Sequence, residues 1–327
     1  MGHSDAGLIE YRDTFCTDGR PLPRCRVGAH RIVTSELATA RRPSIWLRLV
    51  SRLPESWLYA FASFLTWLAF RVVHYRDDVI RDNLAHAFPD LDEPARRALI
   101  QRFYAGYADV LVELFMATAL DAAAVRQRVS IRNLDRVRER IAAGKPVLLM
   151  GAHQCNWEWM LLALSVDLGY PLDAAYKPLV DPWADREMLI LRTRFGARLV
   201  PAPELLGDVL RRNKVLRAIA MVGDQEPVTS DKKHWVRFLN RDSAFFVGGE
   251  EIVRKFKYGA LFIRMKRVAR GRYEMDFEPI CEAGEALAPG EFTERYARLV
   301  EAQIHEAPAD WPWNHKRWKL RKPLYGG

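Results

Sequence analysis

In "LLMGAHQCNWEWMLLAL", residues 148–164, an apolar run stops at Gly151, His153 and Glu158 follow five positions apart, and an apolar run resumes. An imidazole beside a carboxylate is the pairing a general base needs. The carboxylate accepts from one ring nitrogen and leaves the other basic towards a bound hydroxyl. On a continuous helix, five positions place the two side chains about 140° apart, so they could not share a face. They meet only if the chain turns between them. "KPVLLM" (145–150) reads as a buried strand and 156–168 as a helix ended by Gly169, which leaves His153 just outside the helix and Glu158 in its first turn. Backbone N–H groups at that helix start could face a developing oxyanion. A strand's C-terminal end in an α/β sheet is also where sites gather.

The elements that must hold this joint alternate. "YRDDVIRDNLAHAF" is helical up to Pro89, and "EPARRALIQRFYAGYADVLVELFMATA" opens a second helix at Asp92 or Glu93. "ADREMLILRTRF" is a helix stopped by Gly196, followed by "ARLV" as strand, 204–213 as helix and "LRAIAMV" (216–222) as strand, with "GDQEP" turning at that strand's end. A helix near 247–257, two strands "ALFIRMKRV" and "RYEMDFEPI" joined near Gly271, and a last helix near 292–305 complete the chain. This pattern predicts one α/β domain over 76–327, a mixed central sheet covered by helices, with no internal repeat.

The chain has 327 residues, 49% of them hydrophobic, which suffices for an enzyme-sized core. Fifty Lys and Arg against 41 Asp and Glu give a formal charge of +9, which suits a phosphate or anionic lipid partner. Cys16, Cys25, Cys155 and Cys281 form no C-x-x-C pair, so neither a zinc ribbon nor a disulfide framework is indicated and a reducing cytoplasmic setting fits. Residues 1–42 read as a polar leader without a signal peptide's apolar core. Over 43–75, the uncharged stretch Trp57 to Phe70 carries six aromatics. At 14 residues it is shorter than the ~20 a bilayer crossing needs, so it predicts an interfacial or re-entrant membrane helix, with a buried core helix as the alternative.

The H-x-x-x-x-E of "HQCNWE" resembles the catalytic motif of the glycerolipid acyltransferase superfamily. More narrowly, the chain resembles the bacterial late acyltransferases of lipid A biosynthesis, which add lauroyl or myristoyl chains. The likeness runs from about Trp46 to Lys319 through "YRDDVIRDNLAHAFPDL", "LRTRFGARLV", "VGDQEP", "FLNRDSAFFVGG" and the closing "WPWNHKRWK". Five blocks in order are far more specific than one. The first 42 residues fall outside it, and Cys155 and Trp159 depart from the motif's surroundings.

That resemblance implies transfer of an acyl chain from a thioester, on acyl carrier protein or coenzyme A, to a hydroxyl of an anionic lipid acceptor, with no cofactor. His153 would be the base and Glu158 its orienter. Arg194, with Arg192 as its neighbour, would contact substrate or oxyanion, and Asp224 in "GDQ" would order the site. Arg241 with Gly248 and Gly249 could cradle acceptor phosphate by side chain and close backbone approach. The Trp-rich cationic tail fits an anionic headgroup layer, which places the expected location at the cytoplasmic face of the inner membrane. With no G-x-S-x-G elbow, Cys155 is expected to be a packed residue and the transfer direct. A metal-dependent hydrolase would want H-E-x-x-H or a third ligand, and no nucleic-acid-binding motif accompanies the Arg excess. The acceptor stays open between a lipid A precursor and another membrane amphiphile such as an ornithine lipid, an aryl polyene lipid or a lysophospholipid.

Overall fold

The structure is a computed structural model that describes residues 42–228 and 232–322. The expected polar leader, apart from Arg42, lies outside the described residues, as do Cys16 and Cys25.

After Pro43 comes a short helix α1 (Ile45–Val50), and after Pro54 comes α2 (Glu55–Trp67), which widens into π-type turns over Leu68–Val73. Next are α3 (Asp77–Ala87) and α4 (Glu93–Ala117), where Asp92 caps the start of α4 by accepting from Ala95 N at 2.8 Å. The chain then alternates through α5 (Ala122–Arg128), β1 (Val129–Ile131), α6 (Asp135–Ala142), β2 (Val147–Gly151) and α7 (Trp157–Asp167). It continues with β3 (Leu172–Tyr176), α8 (Pro182–Thr193), β4 (Arg198–Pro201), α9 (Leu205–Arg211) and β5 (Ala218–Val222). A hairpin of β6 (Lys233–Phe238) and β7 (Arg241–Phe246) precedes α10 (Gly248–Phe256) and a long hairpin of β8 (Gly259–Ala269) and β9 (Arg272–Cys281). Helix α11 (Glu291–Glu306) and a 3-10 turn at Pro308–Asp310 follow.

The main sheet runs β1-β9-β8-β2-β5-β3-β4, parallel at every pair except antiparallel β8–β9. It is the mixed sheet covered by helices that the alternation predicted, and the structure adds that it is mostly parallel. Its central strands are buried on both faces, as parallel strands between helices must be. Leu148, Met150, Ile219 and Phe262 enter a core shared with α3, α9, α10 and α11, while Val147, Leu149, Ala220 and Leu261 enter a second core with α5, α6 and α7. Helix α4, 25 residues and so about 37 Å long, serves both. Leu99 and Phe103 lie in the first core, Val112 and Met116 in the second.

Five features escape the sequence pattern: α5, β1, α6, β3 and the β6–β7 hairpin. The hairpin turn, Leu239–Asn240, has φ of 48° and 62°, the two left-handed residues a tight hairpin requires, yet it contains no glycine. Burial of Leu239, whose N–H donates to Glu301 at 2.6 Å, holds it there.

Helix α2 is apolar on its buried and its exposed face alike. Leu58, Tyr59 and Ala62 are buried in the core shared with α4, while Trp57, Phe61, Phe64 and Trp67 face outward. With its π-type turns it forms a 19-residue helix, Glu55–Val73, of mean hydropathy 1.3 and only 22% buried, so length and composition alone would allow a crossing. That helix is longer than the uncharged stretch suggested.

Candidate active site

Strands β2 and β5 are parallel neighbours, so the residues that follow them emerge side by side. His153 stands two residues past β2 and Asp224 two past β5, and that adjacency brings together side chains 71 positions apart. His153 Nδ1 lies 2.7 Å from Asp224 Oδ1, and the His153 backbone N–H donates to both carboxylate oxygens at 3.1 Å. Burial would raise the Asp224 pKa, but the His153 charge and the hydrogen bonds from His153 and Trp311 outweigh it and hold the carboxyl below its usual range. An ionised Asp224 accepts the Nδ1 proton and leaves Nε2 as the free base. The ring stays accessible, 17% exposed, with Trp157 against it at 5.2 Å.

The expectation that Glu158 orients His153 is therefore corrected. Glu158 turns away at the first turn of α7, where it accepts from Arg192 Nε at 2.9 Å, Arg192 Nη2 at 2.6 Å and Trp157 Nε1 at 3.0 Å. The turn between strand and helix forms as the sequence required, but it brings the β5 end to His153 before Glu158 can reach it. Trp157 touches both, its ring against His153 and its Nε1 donating to Glu158.

Between these residues the motif is pinned from below. Gln154 Nε2 donates to Gln303 O and Ala307 O, Cys155 N donates to Asp310 O, and Asn156 caps α7 by accepting from Trp159 N at 2.9 Å. Asn156 Nδ2 in turn donates to the fully buried Glu113, which also accepts from Tyr59 and Tyr273. Burial raises the Glu113 pKa. Cys155 sits at φ 56° with its thiol buried, and burial pushes that thiol well above its ordinary range. A thiol so held is a poor nucleophile.

The remaining expected residues divide. Arg192 rather than Arg194 reaches the motif; Arg194 donates to Ala117 O and stacks on Phe195, 4.8 Å from its ring centre. Arg241 is tied to Asp82 at 2.9 Å and covers the Trp318 ring at 5.1 Å, so its charge is already partnered. Gly248 opens α10, where a Cβ would meet the Phe246 ring at 2.2 Å, which explains the glycine by packing.

The tail was expected at a headgroup layer; its tryptophans form the back wall of the site, while Lys316, Lys319, Arg321 and Lys322 stay exposed. Trp311, Trp313 and Arg317 are buried. Trp311 Nε1 donates to Asp224 Oδ2 at 2.9 Å and Arg317 Nε to the Asp224 carbonyl at 2.7 Å. Burial pulls the Arg317 pKa down to about 10. Glu113, Trp311 and Arg317 were missed as supporting residues, and only the tail had announced itself, through its mixture of Trp and cations.

In front of His153 lies a narrow cleft lined by Phe103, Tyr107 and Val110 of α4, Trp157, Cys155 and the turn around Trp311. Its enclosed space is ≈ 10 Å³, about one water. Among the described residues no cluster of three or more His, Cys, Asp or Glu could hold a metal ion.

Fold and site together define an α/β protein with a carboxylate-held imidazole at the ends of parallel strands, beside a narrow cleft, an arrangement that can activate a hydroxyl. Residues 41–320 match the bacterial lipid A biosynthesis acyltransferase family, and the chain belongs to it. It is 24% identical to the lipid A biosynthesis lauroyltransferase of Escherichia coli (strain K12) over 280 residues, 84% of this chain and 89% of the relative. To a lipid A biosynthesis acyltransferase of Haemophilus influenzae it is 22% identical over 246 residues, 73% of this chain and 74% of that one. To the lipid A biosynthesis palmitoleoyltransferase of E. coli K12 it is 23% identical over 247 residues, covering 75% and 79%.

Proposed function

We propose that the chain moves a fatty acyl group from an acyl thioester, carried by acyl carrier protein, to a hydroxyl of a lipid A precursor at the cytoplasmic face of the inner membrane. The observation that carries the reading is the 2.7 Å contact between His153 and the buried Asp224 in a family member of lipid A biosynthesis. His153 Nε2 takes the acceptor hydroxyl proton, the alkoxide attacks the thioester carbonyl, and the C–S bond breaks. The thiolate then takes the proton from the imidazolium, so ester and free thiol are the products. Asp224 stabilises the imidazolium, and two cations are the candidates to meet the developing oxyanion: Arg267, which lines the cleft in front of His153, and Arg192, held in a fork by Glu158. Cys155 takes no part, since its buried thiol supports direct transfer. The outward aromatics of α2 support the membrane location, where the acceptor resides. Mass spectrometry of lipid A and total lipids from cells with the gene, without it, and with His153→Ala tests this. One acyl chain should be missing from lipid A in the last two. An unchanged lipid A beside a changed ornithine lipid, aryl polyene lipid or lysophospholipid would reassign the acceptor.

A further inference from the structure

A further apolar surface lies where β3 leads into the first turn of α8. Leu179 and Val180 of the connecting loop and Trp183 at the start of α8 are displayed outward, and Val180 is fully exposed. Such side chains on a loose loop would mean little, but this loop is built. Leu179 N donates to Asp185 at 2.8 Å and Ala184 N to Asp181 at 2.7 Å, so both nearby acids are occupied in holding the backbone and the apolar groups are fixed outward.

The topology gives the loop a direction. Leu149 of β2 and Ala174 of β3 both stand opposite Ala220 of β5, so the three parallel strands are level there. His153 follows four residues after Leu149 and Val180 six after Ala174, both leaving by the same edge of the sheet. The β8–β9 hairpin leaves by that edge too, because β8 is parallel to β2, and Arg270 near its tip donates to the Tyr59 carbonyl of α2. Helix α8, which the loop enters, is tied to the segment that leads into α1: Ser44 N donates to Glu187 at 3.0 Å and Arg186 to the Arg42 carbonyl at 3.4 Å. Helix α1 exposes Ile45, Trp46 and Leu49, and exposed Arg42, Arg48 and Lys177 border the patch.

We propose that the Leu179–Val180–Trp183 loop, continuous with α1, is a second element that enters a phospholipid bilayer, so that lipid is engaged on both sides of His153 and the site mouth is set square on the membrane. A rigid apolar tip with Trp beside it and cations around it matches the layered chemistry of an anionic bilayer surface. A protein partner would want one broad patch rather than two flanking an open site. The inference rests on the membrane location proposed above.

The test uses the full chain with Cys16 and Cys25 changed to Ser, carrying Val180→Cys labelled with a polarity-sensitive fluorophore. Lys214→Cys, exposed on the loop that enters β5 and hence at the opposite edge, is the control. With vesicles of phosphatidylethanolamine and phosphatidylglycerol, the label at 180 should shift to the blue and be quenched by chain-brominated lipid, and the label at 214 should do neither. Val180→Asp with Trp183→Asp should weaken vesicle partitioning on the order of 10-fold. If the protein binds vesicles while both labels stay equally aqueous, the inference is overturned and the membrane location stands. If the full chain binds no vesicles, both fall.

Discussion

Changing Asp224→Asn replaces one buried oxygen by an amide and asks which carboxylate serves His153. Asp224 accepts from His153 Nδ1 at 2.7 Å, from the His153 backbone N–H at 3.1 Å and from Trp311 Nε1 at 2.9 Å. In the transition state the imidazole holds the acceptor's proton, and unit charges ~4 Å apart at an effective dielectric near 20 attract by about 4 kcal/mol. The amide keeps the shape but loses that attraction and turns an N–H towards a donor, since both carboxylate oxygens accept, so transfer should fall about 10³-fold with some loss of melting temperature while the protein still folds. Glu158→Gln also removes charge, but it acts on Arg192. A double-mutant cycle, read by product mass and by thiol release, separates the two. On a His153→Ala background Asp224→Asn should cost less than about 3-fold more, because the base it serves is gone, whereas Glu158→Gln should cost as much as in the wild type. Additive His153 and Asp224 effects, or strong coupling of His153 to Glu158 instead, would refute the pairing.

Glu113→Ala strands the donors of Tyr59, Tyr273 and Asn156 in a dry interior, so denaturant unfolding should show a loss of about 3–5 kcal/mol, and a loss below about 1 would remove the network from the account. Burial first, then the Lys319 and Arg317 cations, lower the His315 pKa to about 4, against about 6.5 in the unfolded chain. A histidine depressed in this way leaves stability complete above the unfolded value and erodes it as pH falls from about 6.5 towards 4, and His315→Gln should flatten that slope. Trp57→Asp with Phe64→Asp should move the protein from the membrane to the soluble fraction, while washing at about 1 M salt should not, since apolar burial is not screened. Release of the unchanged protein by salt alone would contradict the α2 attachment.

What was legible in the sequence was local. The break at Gly151 located the strand end and the helix start because composition changed there, and the long strands of the β8–β9 hairpin stood out by length and apolarity. Strand β3 was hidden by Asp173, a buried acid made tolerable by Arg212 at 2.6 Å and Arg217 at 2.8 Å, partners no local pattern could supply. The His153–Asp224 pair was hidden for the same reason. Both residues were recognised at strand ends, but their meeting depends on β2 lying beside β5, a crossover that skips β3 and β4. Spacing along the chain pointed to Glu158 because it was near in sequence. The left-handed Leu239–Asn240 turn carried no glycine to mark it, and the tail's tryptophans gave no sign of whether they faced lipid or Asp224.

The most direct test of the central claim is acyl transfer by the purified full chain, supplied with a lipid A precursor and with either acyl carrier protein or coenzyme A thioester, product mass being followed over time. Wild-type protein should add one acyl chain and release one thiol per ester formed, with no acylated protein along the way. Folded His153→Ala should lose about 10²–10⁴ in rate. Transfer by His153→Ala within a few-fold of wild type, or an acyl group trapped on Cys155, would contradict the mechanism at its first step.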